Sequence, residues 1–154
     1  PAELVIGTAS TGDQHETGDW LGAYWYNGAA AEHVDMNWFA NWGIDKITRI
    51  AKPEAKQHVH KMIARVGHDD YRLAIISTAG FNVAPDLAKI KAPTLIITGT
   101  EDRSHPSVPE LQTLIKDCEV RNMVGAGHAN NFEMPWEYDR HCIEFLTRLG
   151  LFPG

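Results

Sequence analysis

The sequence predicts an α/β fold, in which parallel sheet strands are joined by crossover helices. Three short runs, residues 4–7, 94–99 and 119–124, have the length and composition of strands, and a glycine ends or follows each of them. Segments with helical periodicity separate these runs. Strands that alternate with helices are typical of a parallel sheet with right-handed crossovers.

The first strand leads through the loop of residues 7–12 into a segment of helices rich in aromatic residues, which extends to about Gly80. Pro53 suits the first turn of one helix, and Gly67 its C-terminal end. Apolar residues at helical spacing predict one stripe along this helix, formed by Val59, Met62, Ile63 and Val66. Asp69 or Asp70 can cap a further helix that ends near Gly80.

The last third of the chain has the clearest pattern. Pro93 introduces the strand of residues 94–99, and Ser107 with Glu110 predicts a capping box that opens the next helix. The third strand ends in the glycine loop of residues 125–127. After Pro135 a final helix is expected to bury one apolar face, formed by Tyr138, Cys142, Phe145, Leu146 and Leu149.

Composition excludes several classes of function. The formal charge of −6 and the absence of a Lys/Arg cluster argue against nucleic-acid binding. No apolar run approaches the roughly 18–20 residues that a membrane span needs. Cys118 and Cys142 are too few for a disulfide framework and lack metal-ligand spacing. With no signal peptide visible at the start, we expect a cytoplasmic protein with free thiols.

Two acid–base residues follow neighbouring strands. Asp102 comes just after the strand of residues 94–99, and His128 follows the third strand. Because parallel strands end at the same edge of a sheet, we expect the two side chains to meet there. A carboxylate beside an imidazole fixes its tautomer and stabilises the imidazolium formed in general-base catalysis. The alternative is that Asp102 only caps a helix and His128 is an ordinary loop residue; Glu101 is expected to be a solvated neighbour.

Residues 90–102 (IKAPTLIITGTED) resemble the segment around the triad acid of α/β-hydrolases. Residues 125–128 (GAGH), followed by Glu133-Met134-Pro135, resemble the segment around the triad histidine. Residues 4–10, which contain the first strand, look like the sixth strand of that family. The resemblance implies a partial α/β-hydrolase fold, with residues 1–10 and 81–154 in the core and residues 11–80 in a helical cap.

The same resemblance implies a hydrolase without a cofactor that acts on a small carboxylic ester, lactone or similar acyl substrate. Asp102 and His128 would be its catalytic acid and base. The family's nucleophile elbow, Gly-x-Ser-x-Gly, does not occur in the chain, and Ser10 is not in such a context. We expect an N-terminal half to supply the nucleophile, and that half or another chain to cover the open edge of the first strand.

An upstream Asp nucleophile would instead give a dehalogenase or epoxide hydrolase, and the absence of any nucleophile would give a non-catalytic ligand-binding or interaction protein.

The tryptophans of the cap are candidates for substrate binding or for its core; we expect Trp20, Trp25 and Trp38 to contact substrate. The remaining histidines have no partners at zinc spacing, and no metal site is expected.

Overall fold

The computed structural model describes the backbone of residues 5–7, together with residues 37, 49–67, 69–70, 73 and 83–153. Strands and helices alternate along these segments, as the sequence predicts. The elements, in chain order, are β1 (Val5–Gly7), α1 (Pro53–Ala64), α2 (Ala84–Leu87), β2 (Thr94–Gly99), a 3-10 turn (His105–Ser107), α3 (Val108–Leu114), β3 (Cys118–Met123), α4 (Asn130–Glu133) and α5 (Pro135–Arg148).

The three strands form a parallel sheet in the order β1-β2-β3. β2 pairs with β3 along its whole length, from Thr94 opposite Cys118 to Gly99 opposite Met123. The predicted bounds of β2 are confirmed, and β3 begins and ends one residue earlier than predicted. Within the described residues β1 pairs with β2 alone. The loops that follow β2 and β3 therefore leave the sheet side by side.

Helices pack on both faces of β2, and every residue of this strand is buried. Leu95 and Ile97 contact Met123 and Phe145, on the face covered by α5. Ile96 contacts Val108, on the face covered by α3. This alternation explains why residues 94–99 are apolar on both sides, since a strand inside a parallel sheet is covered on both faces.

The final helix buries its apolar face as predicted. Phe145 is 2% exposed in the core, and three of the other predicted residues pack against the same cluster: Tyr138, Cys142 and Leu149. His141 is buried as well, although the sequence pattern did not assign it to this face.

The apolar stripe predicted on α1 is half right. Val59 and Ile63 pack against a cluster that contains Ile50, Ala55 and Ala129, but Met62 is 53% exposed and Val66 is 38% exposed. The buried line runs at four-residue intervals through positions 55, 59 and 63, and Met62 lies to one side of it. Val66 lies beyond the end of the helix at Ala64.

The capping box predicted at Ser107 is wrong, although α3 begins at Val108 as expected. Ser107 is the last residue of the 3-10 turn and has helical backbone angles. Its hydroxyl donates a hydrogen bond of 2.7 Å to the Ser104 carbonyl, so it does not cap α3. A capping serine normally has an extended backbone, which the preceding turn prevents here.

The sequence predicts a helix that starts at Asp69 or Asp70. The structure describes residues 69, 70 and 73 of it, and all three are helical. Cys118 and Cys142 are both free thiols. Among the helices that the structure describes, none has the length and apolar character to span a membrane.

Candidate active site

The loops after β2 and β3 lie in direct contact at the carboxyl edge of the sheet. The Glu101 N–H donates a hydrogen bond of 2.9 Å to the Ala126 carbonyl, and the Thr100 N–H donates one of 3.1 Å to the Met123 carbonyl. Gly99 makes this approach feasible, because a Cβ atom there would lie 2.1 Å from the Ala126 carbonyl oxygen. A larger residue at position 99 would force the two loops apart.

Asp102 and His128 meet at this edge. The Asp102 Oδ2 atom lies 3.1 Å from His128 Nδ1. The other carboxylate oxygen, Oδ1, accepts a hydrogen bond of 2.9 Å from the Ser104 N–H, which closes a local turn. Asp102 is 6% exposed, whereas the His128 side chain is half-exposed. Asp102 therefore closes its loop with one oxygen and holds the imidazole with the other.

The environment shifts the pKa of both groups. Burial raises the pKa of Asp102, but the hydrogen bonds from His128 and the Ser104 N–H outweigh burial, so the pKa lies below the ordinary 3.8. The hydrogen bond to Asp102 raises the pKa of His128 above 6.5; burial opposes this rise and the charge of Asp102 adds to it. The result is an ionised carboxylate beside a strengthened base.

The geometry fixes the proton positions on the imidazole. With Asp102 ionised, Nδ1 of neutral His128 carries the proton and donates a hydrogen bond to the carboxylate. Nε2 is then the nitrogen that can accept a proton from a nucleophile. This tautomer is the one that a general-base histidine needs.

Glu133 also contacts the histidine loop. Sequence reasoning named it only as part of the motif Glu133-Met134-Pro135 and gave it no role. It is 1% exposed, and its Oε1 atom accepts a hydrogen bond of 2.7 Å from the Gly127 N–H. Its Oε2 atom accepts bonds from the N–H groups of Ala51 at 2.8 Å and Lys52 at 3.4 Å. The carboxylate thus joins the histidine loop to a segment far away in the sequence.

The other predicted site residues are the three tryptophans expected to contact substrate. Trp20, Trp25 and Trp38 lie outside the described residues. The His105 N–H donates a hydrogen bond of 3.1 Å to the Asp102 carbonyl, and its Nδ1 atom lies 3.4 Å from Thr98 Oγ1. In the described parts of the chain, no three His, Cys, Asp or Glu side chains form a group able to hold a metal ion.

Comparisons with known proteins find likeness at the level of structure. No family model and no curated protein matches the chain. MenH from S. aureus is 20% identical, with a TM-score of 0.75 over 96% of this chain and 60% of its own. The enol-lactonase from Burkholderia xenovorans LB400 is 18% identical, with a TM-score of 0.75 over 94% of this chain and 56% of its own.

A thermophilic esterase from Thermogutta terrifontis is 15% identical, with a TM-score of 0.69 over 94% of this chain and 55% of its own. The chain thus spans between 55% and 60% of the length of these three structures. At such low identity, the similarity identifies the fold alone. Together with the parallel sheet and the loops at its carboxyl edge, it shows that the chain has a partial α/β-hydrolase fold, as its sequence predicts.

Proposed function

We propose that this chain supplies the acid and the base of a cofactor-free hydrolase that cleaves a small carboxylic ester, lactone or similar acyl substrate. The observation that carries the proposal is the 3.1 Å contact between Asp102 Oδ2 and His128 Nδ1 at the carboxyl edge of the sheet. A loop acid that served only to cap a helix would not need to hold the imidazole of a neighbouring loop. The two structural neighbours described as an enol-lactonase and an esterase support this substrate class.

In this reaction His128 acts as the general base. Its Nε2 atom takes the proton of a serine hydroxyl as the oxygen attacks the substrate carbonyl, and then gives the proton to the leaving group. A water molecule releases the acyl group by the same route. Asp102 keeps the proton of His128 on Nδ1 throughout and stabilises the imidazolium by its charge.

The serine must come from polypeptide outside these 154 residues, because the chain contains no Gly-x-Ser-x-Gly elbow. We propose that an N-terminal half supplies the elbow and the oxyanion-hole donors and pairs with the open edge of β1. Its length would correspond to the part of the structural neighbours that this chain does not span.

The test is to extend the coding sequence upstream and to assay the longer protein on short p-nitrophenyl esters. Turnover should rise with pH to a plateau, with a midpoint above 6.5, because His128 must be neutral to accept a proton and its pKa is raised. Asp102→Asn should lower kcat by up to about ten-thousandfold, since it favours the wrong tautomer. His128→Ala should abolish most turnover.

Glu101→Gln is the matched control for Asp102→Asn, since it neutralises the adjacent, exposed carboxylate and should leave turnover unchanged. A fluorophosphonate should label the longer protein at one serine and should not label the 154-residue chain. Labelling by a haloalkane or epoxide at an upstream Asp would overturn the esterase proposal in favour of the alternative nucleophile. Ligand binding without labelling or turnover would indicate a non-catalytic receptor.

A further inference from the structure

Five positions after His128 there is a buried carboxylate, Glu133, that the proposed chemistry does not use. It joins two stretches of backbone by hydrogen bonds. Glu133 is 1% exposed, and both of its oxygens accept backbone hydrogen bonds. A buried carboxylate is costly unless such bonds compensate it. Its three donors are the N–H groups of Gly127, Ala51 and Lys52.

The backbone that Glu133 draws in lies directly against the histidine loop. A Cβ atom at Gly127 would be 2.2 Å from the Arg49 carbonyl oxygen, so the two main chains are in close contact. Arg49 has a φ of 47°, in the left-handed region that costs a residue with a side chain free energy. The hydrogen bonds from the N–H groups of Ala51 and Lys52 to Glu133, just after Arg49, hold the chain in this conformation.

The other side of His128 is held by the same segment. Ala129 packs with Ile50 and Ala55, and α1 adds Val59 and Ile63 to this cluster. His128 thus lies between Gly127, which Glu133 binds, and Ala129, which α1 covers. The loop of the imidazole is fixed from both sides by residues 49–63.

We propose that Glu133 is a positioning residue, whose carboxylate sets the His128 loop against residues 49–52 so that the imidazole stays on Asp102. This role rests on the proposed function only in taking His128 as the general base. The positioning itself is a property of the resting chain and is measured without turnover.

The experiment is an NMR study of the 154-residue chain and its variants. The signal of His128 is assigned by its loss in His128→Gln, and its pKa is read from a pH titration. Amide hydrogen exchange is measured in parallel at Gly127, Ala51 and Ile97. The variants are Glu133→Gln, which keeps the shape but replaces one acceptor oxygen by a donor, and Glu133→Ala. Glu110→Gln, at an exposed glutamate of α3, is the control.

In Glu133→Gln, exchange at Gly127 and Ala51 should become about tenfold faster or more, because hydrogen bonds to a charged acceptor are lost. Exchange at Ile97 in β2 should change much less. The pKa of His128 should fall toward 6.5 as the contact with Asp102 loosens, and Glu133→Ala should lower it at least as far. Glu110→Gln should change none of these values.

If Glu133→Gln lowers only global stability and leaves the His128 pKa of the folded chain unchanged, Glu133 is structural and the positioning role is wrong. Uniformly faster exchange at all three amides would lead to the same conclusion. Neither outcome would bear on whether His128 is the base of a hydrolase, which the ester assay and the Asp102→Asn variant decide.

Discussion

At the scale of single residues, the candidate site depends on the two carboxylate oxygens of Asp102, each of which has a different hydrogen-bond partner. One accepts the N–H of Ser104 and fixes the carboxylate within its own loop, and the other holds His128. Neither interaction alone would place the imidazole, since a mobile carboxylate could not hold a half-exposed ring. The local turn is therefore part of the acid–base geometry.

Asp102→Asn should lower the pKa of His128 toward 6.5, because the hydrogen bond to a charged carboxylate and the charge of Asp102 are both removed. A histidine whose folded pKa is raised stabilises the fold below its unfolded pKa, and this stabilisation is lost as pH rises through the folded value. The free energy of unfolding of the native chain, relative to the variant, should thus decline as pH rises above 6.5.

Urea denaturation at a series of pH values, with an NMR titration of His128, measures both effects. The lowered pKa of Asp102 adds a second difference of opposite sense, because its stabilisation is lost as pH falls below 3.8 and through the folded value. Glu101→Gln is expected to keep the His128 titration of the native chain. An unchanged His128 pKa in Asp102→Asn would show that the contact is absent in solution.

At the scale of elements, the strands and helices nearest the sheet follow directly from the sequence. β2 is a run of apolar and β-branched residues bounded by Pro93 and Gly99, and α5 repeats apolar residues at helical spacing after Pro135. Ser107 fails as a cap because a 3-10 turn precedes it, which a local four-residue motif does not reveal. The prediction that Met62 belongs to the buried stripe is wrong, because periodicity does not show which side of α1 packs against the rest of the protein.

Phe145→Ala should destabilise the chain by about 3–5 kcal/mol, since it opens a cavity where α5 packs against β2 and β3. Ile143, two positions away on the same helix, is 43% exposed. Ile143→Ala should change the free energy of unfolding by only about 0.5 kcal/mol or less. Chemical denaturation of both variants measures the difference, and equal losses would mean that α5 does not pack as described.

At the scale of the whole molecule, the contact between Asp102 and His128 could be predicted, because each residue follows its strand within a few positions and the two strands are neighbours. The role of Glu133 could not, because its partners Ala51 and Lys52 lie more than eighty positions away and offer only backbone N–H groups. No residue type at positions 51 or 52 indicates that contact. Trp20, Trp25 and Trp38 remain a prediction about substrate binding.

The edge of β1 is the feature of the sheet that most concerns the intact protein. Among the described residues β1 has a neighbour on one side only, and an unpaired strand edge is a template for association. The 154-residue chain should therefore self-associate with rising concentration, and the longer protein with the upstream half should not. Sedimentation velocity of the two proteins checks this; a chain that stays monomeric at high concentration would argue that the edge is already covered.

The positions of these contacts along the chain also bear on the order in which they form. Asp102 and His128 are 26 positions apart, whereas Glu133 and Ala51 are 82 apart. Closing the larger loop costs about 1 kcal/mol more in chain entropy. We therefore expect the acid–base pair to assemble early in folding, as soon as β2, α3 and β3 associate. The hydrogen bonds of Glu133 form afterwards, and they fix the histidine loop when His128 is already in contact with Asp102.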